Sequence, residues 1–160
     1  MPVLLSNQLK ALLVVEDITE QGVNVWRDNC FVIQHFHYDC HRRRNDAGEP
    51  YGPTVPAYLS FTVRVTSDNN GKILFERMQS HDTFPYSFLF NATFNASRRL
   101  SECQDAMVVT GYVVDVEETY ESALSEDGEA EQMLIHAKIL MSNIKYLGRE
   151  RYLQLTMTND

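Results

Sequence analysis

The amino-acid sequence predicts a mainly β fold, a small antiparallel β-barrel of two packed sheets with one short α-helix. Apolar and polar residues alternate with a period of two through most of the chain, which is typical of strands that bury one face. One segment breaks that alternation with the spacing of a helix face. The chain has 160 residues, 44% of them hydrophobic and 22% charged. That composition suits one soluble domain over residues 1–160, whose many strands close most easily into a barrel or a sandwich.

Seven segments carry the strand pattern, and two of them have the strongest apolar faces. Residues 58–66 place apolar side chains at every second position, and residues 86–95 do the same with aromatic rings. We expect both faces to line the core. The residues expected there are Leu59, Phe61, Val63 and Val65 in the first segment and Tyr86, Phe88, Phe90, Ala92 and Phe94 in the second. The other predicted strands are residues 11–15, 30–40, 106–118, 132–146 and 152–157.

The helix is predicted at residues 71–80, where Leu74, Phe75 and Met78 fall on one helical face. The polar residues just before it are of the types that cap a helix N-terminus. The alternative is a hairpin turn at Asn70-Gly71, since Asn-Gly favours type I′ turns. The run of adjacent apolar residues in the middle of the segment favours the helix, because it does not alternate.

Two long polar segments separate the predicted strands. Residues 41–56 contain three arginines and three prolines, residues 119–131 are acidic, and both are predicted as loops. The net charge is −8, and eight acidic residues lie between Asp115 and Glu131 without one lysine or arginine. Because the charges of the remaining chain balance, nucleic acid is not an expected partner. If copies of the chain assemble, the arginines can meet acidic residues of a neighbour; the alternative is two solvated loops.

No combination of residues predicts catalysis, a metal ion or a cofactor. His35, His37, Cys40 and His41 are zinc-ligand types, but no second pair of ligands follows, so no metal is expected. An odd count of three cysteines indicates free thiols in a reducing compartment. The sequence shows no secretory leader and no apolar run of about 18 residues. We therefore expect cytoplasmic synthesis, no membrane insertion and no cleaved signal peptide.

Several stretches, taken together and in order, resemble one known family. They are residues 51–54 (YGPT), 59–63 (LSFTV), 86–94 (YSFLFNATF), 108–115 (VVTGYVVD), 131–135 (EQMLI) and 146–148 (YLG). In these stretches the sequence resembles the tube protein of bacterial type VI secretion systems, the TssD or Hcp family, in its Bacteroidetes form. The resemblance covers roughly residues 30–157, and its specificity lies in the sum of the stretches.

The resemblance implies a structural protein that catalyses nothing. Six copies of the family's barrel form a ring, and rings stack into a tube that a contractile sheath propels, tipped by a spike protein and carrying toxin effectors. The tube is assembled in the cytoplasm and secreted without a cleaved signal peptide. The resemblance also implies that segment 41–56 is the family's extended loop for contacting neighbouring subunits or rings. The residues expected to make that contact are Arg42, Arg43, Arg44, Tyr51 and Pro53.

Two other classes of protein fit a β-barrel. The first is a monomeric cytosolic barrel that binds a small apolar ligand. The aromatic residues of the predicted strands favour this class. Ligand barrels of that kind are normally secreted with disulfides, and neither feature is expected here. The second is an enzyme on a β-barrel, for which no set of residues argues. The acidic segment 119–131 is not a fixed feature of the tube family, so its role stays open.

Overall fold

The computed structural model describes residues 10–55, 57–66, 69–121, 132–147 and 152–156. Strands dominate these residues, as the alternation predicts. The strands are β1 (Lys10–Val14), β2 (Phe31–Tyr38), β3 (His41–Arg44), β4 (Pro50–Val55), β5 (Tyr58–Arg64), β6 (Phe84–Phe94), β7 (Leu100–Glu121), β8 (Gln132–Leu147) and β9 (Tyr152–Thr156). The helix is α1 (Lys72–Gln79), and a 3-10 turn covers Arg27–Asn29.

Six strands close into an antiparallel barrel, which confirms the predicted fold class. The main sheet has the order β5-β2-β1-β6-β7-β8-β9, and β5 also pairs with β8. That last pairing, from Tyr58 opposite Leu140 to Arg64 opposite Leu134, joins the two ends of the sheet. β9 pairs with the later part of β8, beyond the end of β5. β3 and β4 form a separate two-stranded sheet.

The barrel interior is filled by large apolar side chains from every side. Leu59, Phe61, Val63 and Phe88 are at most 1% exposed, and Val65 and Phe90 pack against them while partly exposed. Phe36 on β2 meets the rings of Phe88 and Phe90 at centroid distances of 4.9 and 5.1 Å. The predicted core faces of both leading segments therefore meet inside the barrel.

A second apolar cluster lies on the opposite face of β1 and β6. It contains Leu12, Val14, Leu89, Ala92 and Phe94, against which partly buried side chains of the β1–β2 connection pack. Ala92 and Phe94 are predicted to share a face with Phe88, and that prediction is wrong. The two residues belong to this second cluster instead.

The reason is a β-bulge at Asn91. Lys10 of β1 pairs with Ala92, whereas Leu12 pairs with Leu89, so two residues of β6 oppose the single Ala11. Asn91 takes a φ of 55°, a left-handed conformation that asparagine tolerates better than most residues. An extra residue in a strand exchanges the faces of all residues beyond it.

The helix α1 confirms the prediction at residues 71–80 and excludes the hairpin alternative. Leu74 is fully buried in the barrel core. Gly71 at the N-cap has a φ of 79°, and the N–H of Lys72 donates to Asn70 Oδ1 at 3.0 Å. At the other end the Arg77 guanidinium lies 3.7 Å from the centroid of the Phe84 ring. Among the described residues, no helix has the length and apolar character needed to cross a membrane.

β7 and β8 are longer than the alternation predicts. β7 begins at Leu100 and continues to Glu121. Residues 119–121, predicted as part of the acidic loop, are therefore strand, and residues 122–131 lie outside the described residues. The prediction is wrong for the three strand residues because β8 pairs with them, and cross-strand pairing continues past the end of the apolar pattern.

Candidate assembly surfaces

The segment predicted as a loop at residues 41–56 forms a β-hairpin of β3 and β4. Asn45 organises its turn, where the side-chain Oδ1 accepts hydrogen bonds from the N–H groups of Ala47 at 3.0 Å and Glu49 at 2.9 Å. The loop prediction is wrong for the strand residues because this turn, rather than a buried face, sets their pairing. Pro56 lies outside the described residues.

A bulge in β4 explains how the hairpin accommodates proline. The register shifts between Arg42 and Arg43, because Gly52 and Pro53 are extra residues in β4. Gly52 has a φ of 69°, in the left-handed region that favours glycine. Proline is tolerated at a bulge because the missing N–H leaves no ladder hydrogen bond unmade.

The three arginines of β3 present charge on both sides of the hairpin. Arg42 and Arg44 line an open cleft of about 630 Å³, and Arg42 Nε donates to the Gly52 carbonyl at 3.1 Å. Arg43 alternates to the other side and pairs across the strands with Tyr51, which is 49% exposed. The hairpin thus carries every residue predicted to contact a neighbour.

The hairpin is exposed at every residue from His41 to Gly52. Its turn carries Asp46 and Glu49, so the positive charge is concentrated on β3. A two-stranded hairpin without a third strand or a packed face is only marginally stable in water. Burial against a partner is therefore expected to stabilise it.

A polar face covers the outside of the barrel across β2, β5, β8 and β7. Its side chains form two neighbouring rows, since the residues of each row pair from strand to strand. Around them lies an open groove of about 430 Å³. The first row is His35, Thr62, His136 and Glu117, and the second is His37, Ser60, Lys138 and Asp115.

His136 is held in place in the middle of this polar face. Thr62 Oγ1 lies 2.8 Å from its Nδ1, and Thr119 Oγ1 lies 2.9 Å from its Nε2. Both ring nitrogens are therefore engaged by hydroxyl groups from the neighbouring strands. Within the residues that the structure describes, no three His, Cys, Asp or Glu side chains are placed to hold a metal ion.

The paired ends of β7 and β8 extend past the rim of the barrel. We call residues 117–121 and 132–133 the arm. Its residues 120–121 and 132–133 lie beyond the last pair of β5 with β8, whereas Glu117 and Glu118 lie beside residues of β8 that still pair with β5. Tyr120 and Met133 pair across it and are 54% and 36% exposed. They continue the strand face that Ile135 presents to the core, but the barrel ends before it can cover them. On the side away from β8, no described strand pairs with β7 beyond Gly111.

The hairpin and the arm lie at opposite ends of the barrel. Tyr38, at the end of β2, pairs with Leu59, near the start of β5, and the hairpin is the segment of chain between these two strands. Arg64 pairs with Leu134, which pairs with Thr119 in the arm. The stretch of β5 between the two ends spans roughly 20 Å at about 3.3 Å per residue.

This barrel, with its separate hairpin and the helix α1, is the fold of the Hcp proteins. Hcp1 of E. coli EAEC 042 superimposes with a TM-score of 0.64 over 94% of this chain and 99% of that chain, at 11% identity. Hcp1 of Flavobacterium johnsoniae gives a TM-score of 0.59 over 92% and 98%, at 15% identity. The secreted protein Hcp3 of Pseudomonas aeruginosa gives 0.52 over 95% and 99%, at 10% identity.

No protein-family model matches the chain, and no curated protein matches it in sequence. At these low identities the structural likeness shows the fold. It confirms, at that level, the resemblance found in the residues.

Sequence reasoning missed the polar face and the arm. The hydroxyl partners of His136, Thr62 and Thr119, lie 74 and 17 residues away in sequence, so no local motif predicts them. The polar alternates Ser60 and Thr62 within an apolar strand were the available signal. For the arm, the only sign was an acidic stretch that begins inside a predicted strand.

Proposed function

We propose that this chain is the tube subunit of a contractile type VI secretion system. In this proposal it assembles into hexameric rings that stack into a tube for effector delivery. The observation that carries the proposal is the likeness to E. coli Hcp1, which extends over nearly the full length of both chains. A local motif shared by unrelated proteins would not extend that far.

The packed interior supports an assembly role over the alternative of a barrel that binds a small apolar ligand. Phe36, Phe61 and Phe88 meet at centroid distances of 4.9 and 5.6 Å, where a ligand would have to lie. Both open clefts described above lie on the outside, and charged side chains line each of them, Arg42 and Arg44 in one and Asp115, Glu117 and Lys138 in the other. The shape favours contacts with other macromolecules.

The proposed contacts with neighbouring subunits or rings run through Arg42, Arg43, Arg44, Tyr51 and Pro53. Their shared position on the hairpin, which is exposed from His41 to Gly52, supports this role. The further partners are those of such a tube, namely the sheath, the spike protein and toxin effectors. Assembly in the cytoplasm followed by secretion is part of the proposal, and the secreted Hcp3 of Pseudomonas aeruginosa has the same fold. No catalytic step is proposed.

The test is the mass of the purified protein in solution together with negative-stain images. We expect a ring-shaped particle containing six of the 18.5 kDa chains, formed in a concentration-dependent way. Analytical ultracentrifugation from low to high micromolar concentration separates monomer from ring. Monomers alone at every concentration, with no rings in the images, would contradict the proposal.

A further inference from the structure

The hairpin has the features of a segment that binds to another surface. No third strand among the described residues pairs with it. It carries exposed arginines on both of its faces and Tyr51 as an exposed aromatic side chain. Of the described residues, none forms an ion pair with Arg42 or Arg44. That other surface must supply negative charge, apolar side chains, or both.

The arm has those properties. Its strand β7 carries the exposed carboxylates Glu117 and Glu118, with no lysine or arginine from Asp115 to Glu121. Tyr120 and Met133 add an exposed apolar pair on the face that, further along the same strands, packs into the core. An inward face left uncovered at the rim is a surface to which another chain can add.

We propose that the arm of one copy receives the hairpin of a second copy of this chain. The occupant follows from charge complementarity and from position. β3 supplies three positive charges, the arm supplies carboxylates, and the two surfaces lie at opposite ends of the same barrel. Tyr51 packs near Tyr120 and Met133, with Arg43 on the same hairpin face beside Glu118. Arg42 and Arg44, on the other hairpin face, meet Glu117. The inference rests on the proposed function, which it deepens by naming the receiving surface.

A contact between opposite ends is heterologous and joins barrels end to end, and it repeats along an open stack unless a rotation closes it into a ring. Hairpin to arm is therefore a contact for stacking, distinct from the lateral contacts that close a ring. In a six-fold ring the same contact occurs six times at once. Many weak contacts made together hold far more strongly than one alone, so exposed ion pairs suffice for this purpose.

The first test exchanges charges. One variant carries Arg42→Glu and Arg44→Glu, a second carries Glu117→Lys and Glu118→Lys, and a third carries all four substitutions. We expect each of the first two to reduce the fraction of stacked rings in electron micrographs at least tenfold. The third restores stacking at low salt. The control is Asp105→Lys, an exposed carboxylate on β7 far from the arm, which leaves stacking unchanged.

The second test detects the contact itself and does not require rings. Arg44→Cys and Glu117→Cys chains, both with Cys40→Ser, are mixed and treated with a mild thiol oxidant. Cys30 is buried and Cys103 is partly buried, so the introduced thiols are the most accessible. We expect a covalent heterodimer several-fold more abundant than in a mixture with Asp105→Cys.

The outcomes separate this inference from the proposed function. If the parent protein forms no rings, the proposed function fails, and the cross-link alone decides the inference. If rings form but the cross-link does not exceed its control, the arm is not the receiving surface. Loss of stacking in both double variants without restoration in the quadruple variant also overturns the contact.

Discussion

Lys145 on β8 donates from its Nζ to Asp17 Oδ2 at 3.3 Å and so ties the β1–β2 connection to the barrel. Asp17 is only 7% exposed. Burial alone would raise the pKa of its carboxyl, but hydrogen bonds from Thr19 and the Lys145 ammonium hold that pKa below its ordinary value. The ionised carboxylate is thus the form that the fold stabilises.

The consequence is a defined pH dependence of stability. Because the folded pKa of Asp17 lies below 3.8, its contribution is present above that pH and is lost as the pH falls through the folded value. We expect Asp17→Asn to lower the free energy of unfolding at pH 7 by about 1–3 kcal/mol. Urea unfolding of both proteins from pH 7 downward checks it. The difference must shrink below pH 3.8, and a constant difference would contradict the assignment.

Phe88 and Phe90 stand on the same side of β6 but differ in burial. Phe88 is fully buried, whereas Phe90 is partly exposed. We expect Phe88→Ala to cost about 3–5 kcal/mol because it leaves a cavity in the core, and Phe90→Ala to cost distinctly less. Chemical denaturation of the two variants measures both values. Equal losses would show that Phe90 is as deep in the core as Phe88.

Tyr86 has a buried hydroxyl that finds no hydrogen-bond partner among the described residues. Burial also raises the pKa of this phenol to about 12. A buried polar group without a partner keeps its desolvation cost, so Tyr86→Phe is expected to raise the free energy of unfolding by about 1 kcal/mol. Thermal and urea unfolding measure the change. A loss of stability would mean that the hydroxyl is satisfied in solution.

Gly111 lies where β7 passes close to the backbone of β8. A Cβ added there would collide with the carbonyl oxygen of Leu140, which cannot move aside as a side-chain tip can. We expect Gly111→Ala to cost about 1–3 kcal/mol through overpacking. The matched control is Gly48→Ala in the hairpin turn, where a Cβ meets nothing within 4 Å and only the positive φ of 83° opposes it. A smaller cost at Gly111 than at Gly48 would contradict the close approach.

The arginines of β3 are expected to matter for assembly and not for the fold. Replacing Arg42, Arg43 and Arg44 with glutamate should change the free energy of unfolding of the monomer by no more than about 0.5 kcal/mol, since the side chains are exposed. Ring association or stacking should fall. In the parent, the contact should weaken as salt shortens the screening length to about 3 Å at 1 M. If the triple variant assembles as well as the parent at every salt concentration, these arginines make no contact with a neighbouring copy.

The barrel was predictable because a strand that buries one face has apolar residues at every second position of the sequence. Leu59, Phe61 and Val63 alternate with polar residues, and their core face follows directly. The bulge at Asn91 was not predictable in this way, because the alternation of residues 86–94 continues unbroken across it. Only pairing with β1 reveals that the face changes there.

Of the candidate surfaces, only the hairpin was predicted from the sequence, and then as a set of residues and not as a shape. Arg42 to Arg44 and Tyr51 were identified from composition and resemblance, but a strand with all side chains exposed has no apolar pattern by which to recognise it. The arm depends on where the barrel ends, which follows from the register of β5 against β8. Register between distant strands is set by the whole packed structure.

The pairing of β5 with β8 also bears on how the chain reaches its fold. Tyr58 lies opposite Leu140, and even the last pair, Arg64 with Leu134, joins residues 70 positions apart. Contacts of such long sequence separation make folding slow, because the chain must lose entropy before they form. Until β5 and β8 meet, each would present an open edge to other chains, the situation in which strands aggregate. Newly made subunits are therefore most prone to aggregate in the interval before β5 and β8 pair.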